Sequence, residues 1–352
     1  MISQKYSIAI DFGTTNIDAV LLDLENKSEV RRNTISNSQN KISPDIITRI
    51  FYAIENNAYN EIQKTAYEDL NNIIGLLVKK SSIDYSNIGE ILVISNPAMM
   101  HFLLGMNVEG LSKFPYESKI TGTETLEAVS INNKLINAKI KFLPIISGYI
   151  GSDFISAVIS TRLIEKKEKK ILVDLGTNAE IAIWNGEDLY CTSAAAGPAF
   201  GYKGSEVISN IATMLKFHLI SNTGAIVDHR YKGIISPIMI RSLQLAKSAV
   251  KSAIEVLLKE ANISEKDLKE IYIAGVFGEL IHPWSAMFIG MIPSIDIGKI
   301  RSVGNAALNG AKKILLGNAG EDKINELITK SKLVFLNDIV DFQDMYVKNI
   351  NF

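Results

Sequence analysis

The sequence predicts an α/β protein of two related domains. Three observations carry that expectation. The chain has 352 residues, more than one hydrophobic core ordinarily fills. A strand–turn–strand unit with Asp-x-Gly-Thr at its turn occurs twice, as "YSIAIDFGTTNIDAVLLDL" and as "KKILVDLGTNAEIAIWN". After each copy, short apolar runs alternate with helical patterns, as layers of sheet and helix require.

Taken in order, residues 6–11 and 17–24 read as a β-hairpin around "FGTT", with a third strand over 29–35. Ser43 as N-cap and Pro44 at the first helical position open a helix in "SPDIITRIFYAI". Ile62, Ala66, Leu70, Ile73, Ile74 and Leu77 recur at helical spacing over 60–80. "EILVISN" is a buried strand, and "AMMHFLLGM" a short helix ending near Gly105. Residues 106–137 are irregular. "KIKFLPII" is a strand, and "SDFISAVISTRLIEKKEKK" a helix whose charged end marks a domain boundary.

The pattern then restarts. Residues 170–174 and 179–184 form a second hairpin and 188–194 its third strand. Between Gly201 and Arg241 only Asn222-Thr223-Gly224 offers a turn. A long amphipathic helix covers 238–260, and Ser264 stands three residues before Asp267, a capping-box spacing. "EIYIAGVFG" is a buried strand meeting a glycine turn, and "SVGNAALNGAKKILL" a helix of small residues. The expected division is 1–165 plus 306–352 in one domain and 166–305 in the other.

Charge and composition exclude several classes. Lys and Arg total 37 against 38 Asp and Glu, so no net field draws the chain to nucleic acid or to an anionic membrane. No secretory leader opens the sequence, and its apolar runs fall short of the roughly 20 residues of a membrane span. A cytoplasmic protein is expected. Cys191 is the single cysteine, and an iron–sulfur cluster takes about four, so no cluster is expected. His101, His218, His229 and His282 lack metal-ligand spacing and read as surface or packing residues.

The two acid turns have a chemical logic. Gly13 and Gly176 let backbone approach a phosphate closely. Backbone N–H groups and the hydroxyls of Thr14, Thr15 and Thr177 donate to phosphate oxygens. Asp11 and Asp174 cannot touch a phosphate, because like charges repel, but each can hold Mg²⁺ through water. Two such turns facing each other would clamp a triphosphate from both sides. The plainer alternative is a pair of hairpins whose aspartates only cap their turns.

The flanking features arrive in a set order: residues 11–16, 151–163, 174–180, 271–278 and 303–315. In that order the chain resembles the actin-like superfamily of sugar kinases, heat-shock chaperone ATPases and actin. The resemblance implies an actin-like ATPase (ASKHA, ribonuclease-H-like duplicated) fold with two domains around a nucleotide cleft. "SNPAMMHFLLGM", "SGYIGSDFISAVI", "LVDLGTNAEIAI", "SAAAGPAFG", "SLQLAKSAVKSAI" and "IAGVFG…IGMIP" are similar to the ATPase domain of the reductive activators of corrinoid proteins. That similarity runs nearly end to end. It implies binding of ATP or ADP with Mg²⁺ and a corrinoid protein or methyltransferase as partner. The family's N-terminal ferredoxin-like domain is not seen ahead of Tyr6, so the electron is expected from another chain.

By resemblance, Asn16 and Asn178 lie just past the phosphate turns, and Gly275 and Gly278 let adenosine lie on backbone. Gly197, Pro198 and Gly201 form a loop that faces nucleotide or partner, or else simply bends the sheet. Asp153 either orients an attacking water or caps its helix. A small-molecule kinase of the same fold and a non-hydrolysing nucleotide-binding interaction protein stay open as alternatives, as does a homodimer.

Overall fold

The computed structural model describes residues 5–352 except 121, 127–128, 132–133, 137, 198–203, 229, 231–234 and 276–280. Pro198, Gly201 and Gly278, singled out above, lie outside the described residues.

The first half opens with β1 (Tyr6–Phe12), β2 (Asn16–Asp23) and β3 (Ser28–Ser36). Helices α1 (Ile46–Glu55) and α2 (Tyr59–Ser81) lead to β4 (Ile88–Ile94) and α3 (Pro97–Leu104). Short strands β5 (Glu124–Leu126), β6 (Val129–Ile131), β7 (Lys134–Ile136) and β8 (Lys139–Phe142) precede α4 (Ser152–Thr161). The second half has β9 (Lys170–Leu175), β10 (Ala179–Trp184), β11 (Leu189–Ala194), α5 (Gly204–Lys216) and α6 (Pro237–Glu260). It continues with β12 (Glu270–Ala274), α7 (Pro283–Phe288), β13 (Ile300–Gly304), α8 (Ala306–Leu315), α9 (Glu321–Lys330), β14 (Ser331–Leu333) and α10 (Phe342–Lys348).

The duplication read from the two turns is a duplication of sheets. One sheet runs β3-β2-β1-β4-β8-β5 and the other β13-β12-β9-β10-β11-β14. Matched strand for strand, both contain an antiparallel meander whose first strand pairs in parallel with the next strand along. In one, β1 pairs antiparallel with β2 and parallel with β4; in the other, β9 does the same with β10 and β12. The differences are at the edges: β5 closes one end of the first sheet, and β14 adds in parallel to β11 in the second.

Burial follows the sequence pattern. Ile8, Ile10, Phe12, Ile17, Ala19 and Leu21 form one core face with the apolar stripe of α2, and all six stripe positions predicted there are buried. Exposed β3 carries Glu29, Arg31 and Arg32, the charges that keep an edge strand from pairing further. Asn96 caps α3, Pro97 follows it, and Gly105 ends the helix in the left-handed region at φ 65°, as predicted.

Some expectations need correction. Helix α1 is capped by Asp45, whose carboxylate accepts from the Thr48 N–H at 2.8 Å; Ser43 instead accepts from the Asp45 N–H. A carboxylate one residue before the helix outcompetes a hydroxyl two residues earlier. Helix α4 stops at Thr161, because Arg162 turns left-handed at φ 54°. The stretch read as a lone turn contains α5, whose Val207, Ile208, Ile211, Ala212 and Leu215 are buried at helical spacing.

The chain divides into two compact units, 1–160 with 307–326, and 161–306 with 327–352. The last 26 residues thus group with the second unit rather than the first, where the sequence expectation put them. Their bonds explain it. Leu189, Tyr190 and Cys191 of β11 are in register with Ser331, Lys332 and Leu333. Thr192 Oγ1 donates to Val334 O at 2.7 Å, and the buried Asn349 side chain donates to Ser252 Oγ and Glu255 Oε2 on α6.

Within the first unit α4 and α8 touch through backbone. Ser156 Oγ donates to Ala307 O at 2.7 Å, and a Cβ on Gly310 would overlap the Ser156 carbonyl. Gly310→Ala should therefore cost about 1–3 kcal/mol in denaturant unfolding. Gly320→Ala, with open space around its Cβ position, should cost under about 0.5 kcal/mol.

Candidate functional site

In the first unit the site is built where parallel strands β1 and β4 end. Asp11 stands in β1 opposite Ile94 of β4 and opposite Asp18 of β2. The chain then turns through Gly13, Thr14 and Thr15. A Cβ on Gly13 would come within 2.7 Å of Asn16 O, so the turn is too tight for a side chain there. Thr15 is exposed, and Gly13, Thr14 and Asn16 are partly so, leaving their polar groups within reach of a ligand.

A set of polar side chains holds this turn, of which the sequence reading passed over Asn37, Asn40 and Arg49. Asn96, capping α3, donates through Nδ2 to Thr14 Oγ1 at 3.0 Å. Buried Asn37 donates through Nδ2 to Gly13 O at 2.9 Å and through its backbone N–H to Thr15 O at 2.9 Å. Asn40 Nδ2 donates to Thr15 O at 2.9 Å, and Arg49 Nη2 to Thr14 O at 2.8 Å. With the turn's carbonyls occupied from behind, its N–H and hydroxyl donors are the groups left toward a ligand. The only hint in the sequence was an arginine on the apolar face of "IITRIFYAI".

The start of α4 lies against the same strand end. Ser152 N donates to Ser95 O at 3.0 Å, and Ser152 Oγ accepts from Ser95 N at 3.0 Å. Gly151 is required, because a Cβ there would overlap Ser95 O and lie 2.6 Å from Asn96 Cα. Asp153 lies inside the first turn of α4 rather than at its cap. Burial pushes its carboxyl up to about 6, against hydrogen bonds from backbone N–H groups that favour the charged form. A carboxyl titrating there is suited to take a proton near neutral pH.

The second unit repeats the hairpin with different support. Asp174 of β9 stands opposite Glu180 of β10, and Glu180 accepts from Ser193 Oγ at 3.0 Å. Gly176 N donates to Asn178 O at 2.8 Å, and Thr177 and Asn178 are exposed. Gly275, ending β12 at φ 98°, presses on this turn: a Cβ would overlap Leu175 O and lie 3.0 Å from Asp174 Oδ1. Its N–H donates to Gly304 O at 3.0 Å. Gly197 is left-handed at φ 71° with open space around it, in the loop after β11.

Each hairpin thus sets two carboxylates opposite each other on one face, Asp11 with Asp18 and Asp174 with Glu180. Like charges directly opposite repel, and a hydrated divalent cation relieves that repulsion. The donor set fits Mg²⁺, a hard cation that prefers oxygen ligands and keeps several waters. Among the described residues no group of three His, Cys, Asp or Glu could enclose a metal by itself. His101 is a packing residue: it is buried, its Nδ1 is 2.7 Å from Pro97 O, and burial lowers its pKa.

Asp153 has a pH signature. The unfolded chain ionises this carboxyl near 3.8, while the folded state keeps the proton to about 6. Its contribution to stability is therefore present below pH 4 and is lost as pH rises through about 6. Asp153→Asn should gain about 1–3 kcal/mol over the parent at pH 7.5 and nothing at pH 4 in denaturant titrations.

Comparison with known proteins agrees with this architecture. Residues 6–166 match the family model of the RACo middle region, and residues 168–203 and 230–352 match that of the C-terminal domain of RACo, the ASKHA domain. The corrinoid activation enzyme RamQ of Eubacterium limosum is 27% identical over 421 residues, spanning 99% of this chain and 70% of RamQ. The [Co(II) methylated amine-specific corrinoid protein] reductase of Methanosarcina barkeri is 22% identical over 398 residues, spanning 92% of this chain and 72% of the reductase. A solved reductive activator for corrinoid, iron–sulfur protein has the same fold, with a TM-score of 0.89 at 24% identity over 100% of this chain and 67% of that one. The two matched sheets with their acid hairpins are an actin-like ATPase fold, and the chain belongs to the RACo family of reductive activators of corrinoid proteins.

Proposed function

We propose that this chain is the nucleotide-driven part of a corrinoid activation system: it binds MgATP or MgADP and acts on a corrinoid protein or its methyltransferase. The observation that carries the reading is the repeated hairpin with an acid pair in register at a glycine-tight turn. Family membership supplies the corrinoid context, through the activities for which RamQ and the Methanosarcina barkeri reductase are named.

The roles follow from chemistry. Backbone N–H groups at 13–16 and 176–178, with the hydroxyls of Thr14, Thr15 and Thr177, donate to phosphate oxygens. Asp11 in one unit and Asp174 in the other would each be able to hold Mg²⁺ through water, with Asp18 and Glu180 adding negative charge beside them; the metal would supply positive charge against the phosphates. Gly275 gives adenosine a bare stretch of backbone. Asp153 orients a water and accepts its proton.

An electron for Co(II) has to come from outside these residues. The sequence holds one cysteine, far short of the roughly four of a cluster. Cys191 is fully buried in β11, and burial pushes its thiol up to about 12. No helix among the described residues is long and apolar enough to cross a membrane.

Calorimetric titration with MgADP and MgATP tests the site. Asp11→Asn and Asp174→Asn should each weaken binding about tenfold with Mg²⁺ present and much less in EDTA. If both variants bind MgATP as the parent does, the acid turns are misassigned. Hydrolysis should rise when a corrinoid protein is added and stay flat with candidate sugars; the reverse pattern would make the chain a kinase. Cys191 should resist a thiol reagent in native buffer and react fully in guanidinium. Fast native labelling would contradict the buried thiol.

A further inference from the structure

Helix α1 puts an arginine on its buried side. The positions it turns to the core are Arg49, Ile50 and Ala53. Arg49 is 0% exposed. A guanidinium buried to that extent ordinarily has a carboxylate partner, because an unpaired charge in the interior is costly. Arg49 has none within 4.0 Å among the described residues.

Every acceptor around it is neutral. Nε donates to Ser43 O at 2.6 Å. Nη1 faces Gln39 Oε1 at 3.4 Å and Met99 Sδ at 3.7 Å. Nη2 donates to Asn40 Oδ1 at 2.7 Å and to Thr14 O at 2.8 Å. The two buried or half-buried acids of this region are otherwise engaged. Asp45, the acid that bears on Arg49 electrostatically, accepts from Thr48 N and Oγ1. Asp69 accepts from Ser38 N and Oγ. Burial lowers the guanidinium to about 10, which still leaves it charged at neutral pH.

A chain that needed only to pin the turn had cheaper means. Asn37 and Asn40 already hold the carbonyls of Gly13 and Thr15 without a buried charge. The added cation is bonded to the middle carbonyl of the turn, Thr14 O, whose neighbours are the donors assigned to phosphate. No carboxylate among the described residues bonds it directly, and a polyphosphate at the turn would add a counter-charge.

We propose that Arg49 is a positioning residue whose buried charge, bonded directly by no carboxylate and seated behind the 13–16 turn, makes that turn selective for the anionic phosphates of a nucleotide. The inference rests on the reading of 11–16 as a phosphate turn. It goes further by naming a residue that touches no ligand and by making charge, not only shape, its contribution.

The test compares ligands that differ in charge. ADP, AMP and adenosine, each with Mg²⁺, compete against a fluorescent ADP analogue on the parent, Arg49→Gln and Arg49→Lys. Arg49→Gln should lose about tenfold in ADP affinity, less for AMP and little for adenosine. Arg49→Lys, which keeps the charge and loses the fork, should recover most of the ADP preference. Should Arg49→Gln fail to fold, Gln39→Glu decides. It places a carboxylate at Arg49 Nη1 without touching the bonds that hold the turn's carbonyls, and should lower the ADP-to-adenosine ratio as Arg49→Gln would. Equal losses for all three ligands, or an unchanged ratio in the folded variants, would overturn the inference and leave nucleotide binding intact. A parent that binds no ADP would overturn the phosphate-turn reading itself, and this inference with it.

Discussion

Hairpin register is the constraint on which both units depend. Asp11 faces Asp18, and Asp174 faces Glu180, because β1 with β2 and β9 with β10 pair without a slip. Side chains alternate faces along a strand, so a one-residue shift would turn each acid into the apolar core cluster and take each cluster residue out of it. The core forbids that shift. Ile8, Ile10 and Phe12 on β1 and Ile171, Val173 and Leu175 on β9 are buried at period two. Burial of these residues therefore holds the acids in place.

A second layer of control is backbone contact. Gly151 lets α4 start against Ser95 and Asn96, and Gly275 lets β12 end against Leu175 and Asp174. In each unit a bare α-carbon brings the end of the neighbouring parallel strand to the acid turn. Side chains at those points would push the elements apart by the width of a methyl group. A turn displaced by that much loses its geometry. Gly310 does the same between α4 and α8.

The two units share a scaffold and differ in how the turn is supported. The first turn is held from behind by Asn37, Asn40, Asn96 and the charge of Arg49. The second has Gly275 packed on Leu175 and Asp174, and Gly275 is itself held by Gly304 O. Buried Lys170 in β9 differs from Arg49 in being paired, with Glu270 at 3.2 Å. The duplicated fold has thus kept its strand order while the ends that carry the two acid turns have taken up different electrostatics.

The sequence by itself determined the hairpins, their acids, the apolar face of α2 and the capped ends of α3. Each depends on residues within a few positions of one another, and local periodicity or turn chemistry suffices. It also carried the repeat, since both copies spell the same turn. Helix α5 was hidden because its apolar positions have no clear start signal before them. Only the tertiary structure decided where the chain's end belongs, because β14 reaches back 142 residues to pair with β11. Only it decided that Arg49 lies behind the first turn, 35 residues from Thr14. An arginine on an apolar helix face is chemically unspecified until the fold brings its acceptors. Long-range register and the neutral company of a buried charge are set by packing, and no window of the sequence contains them.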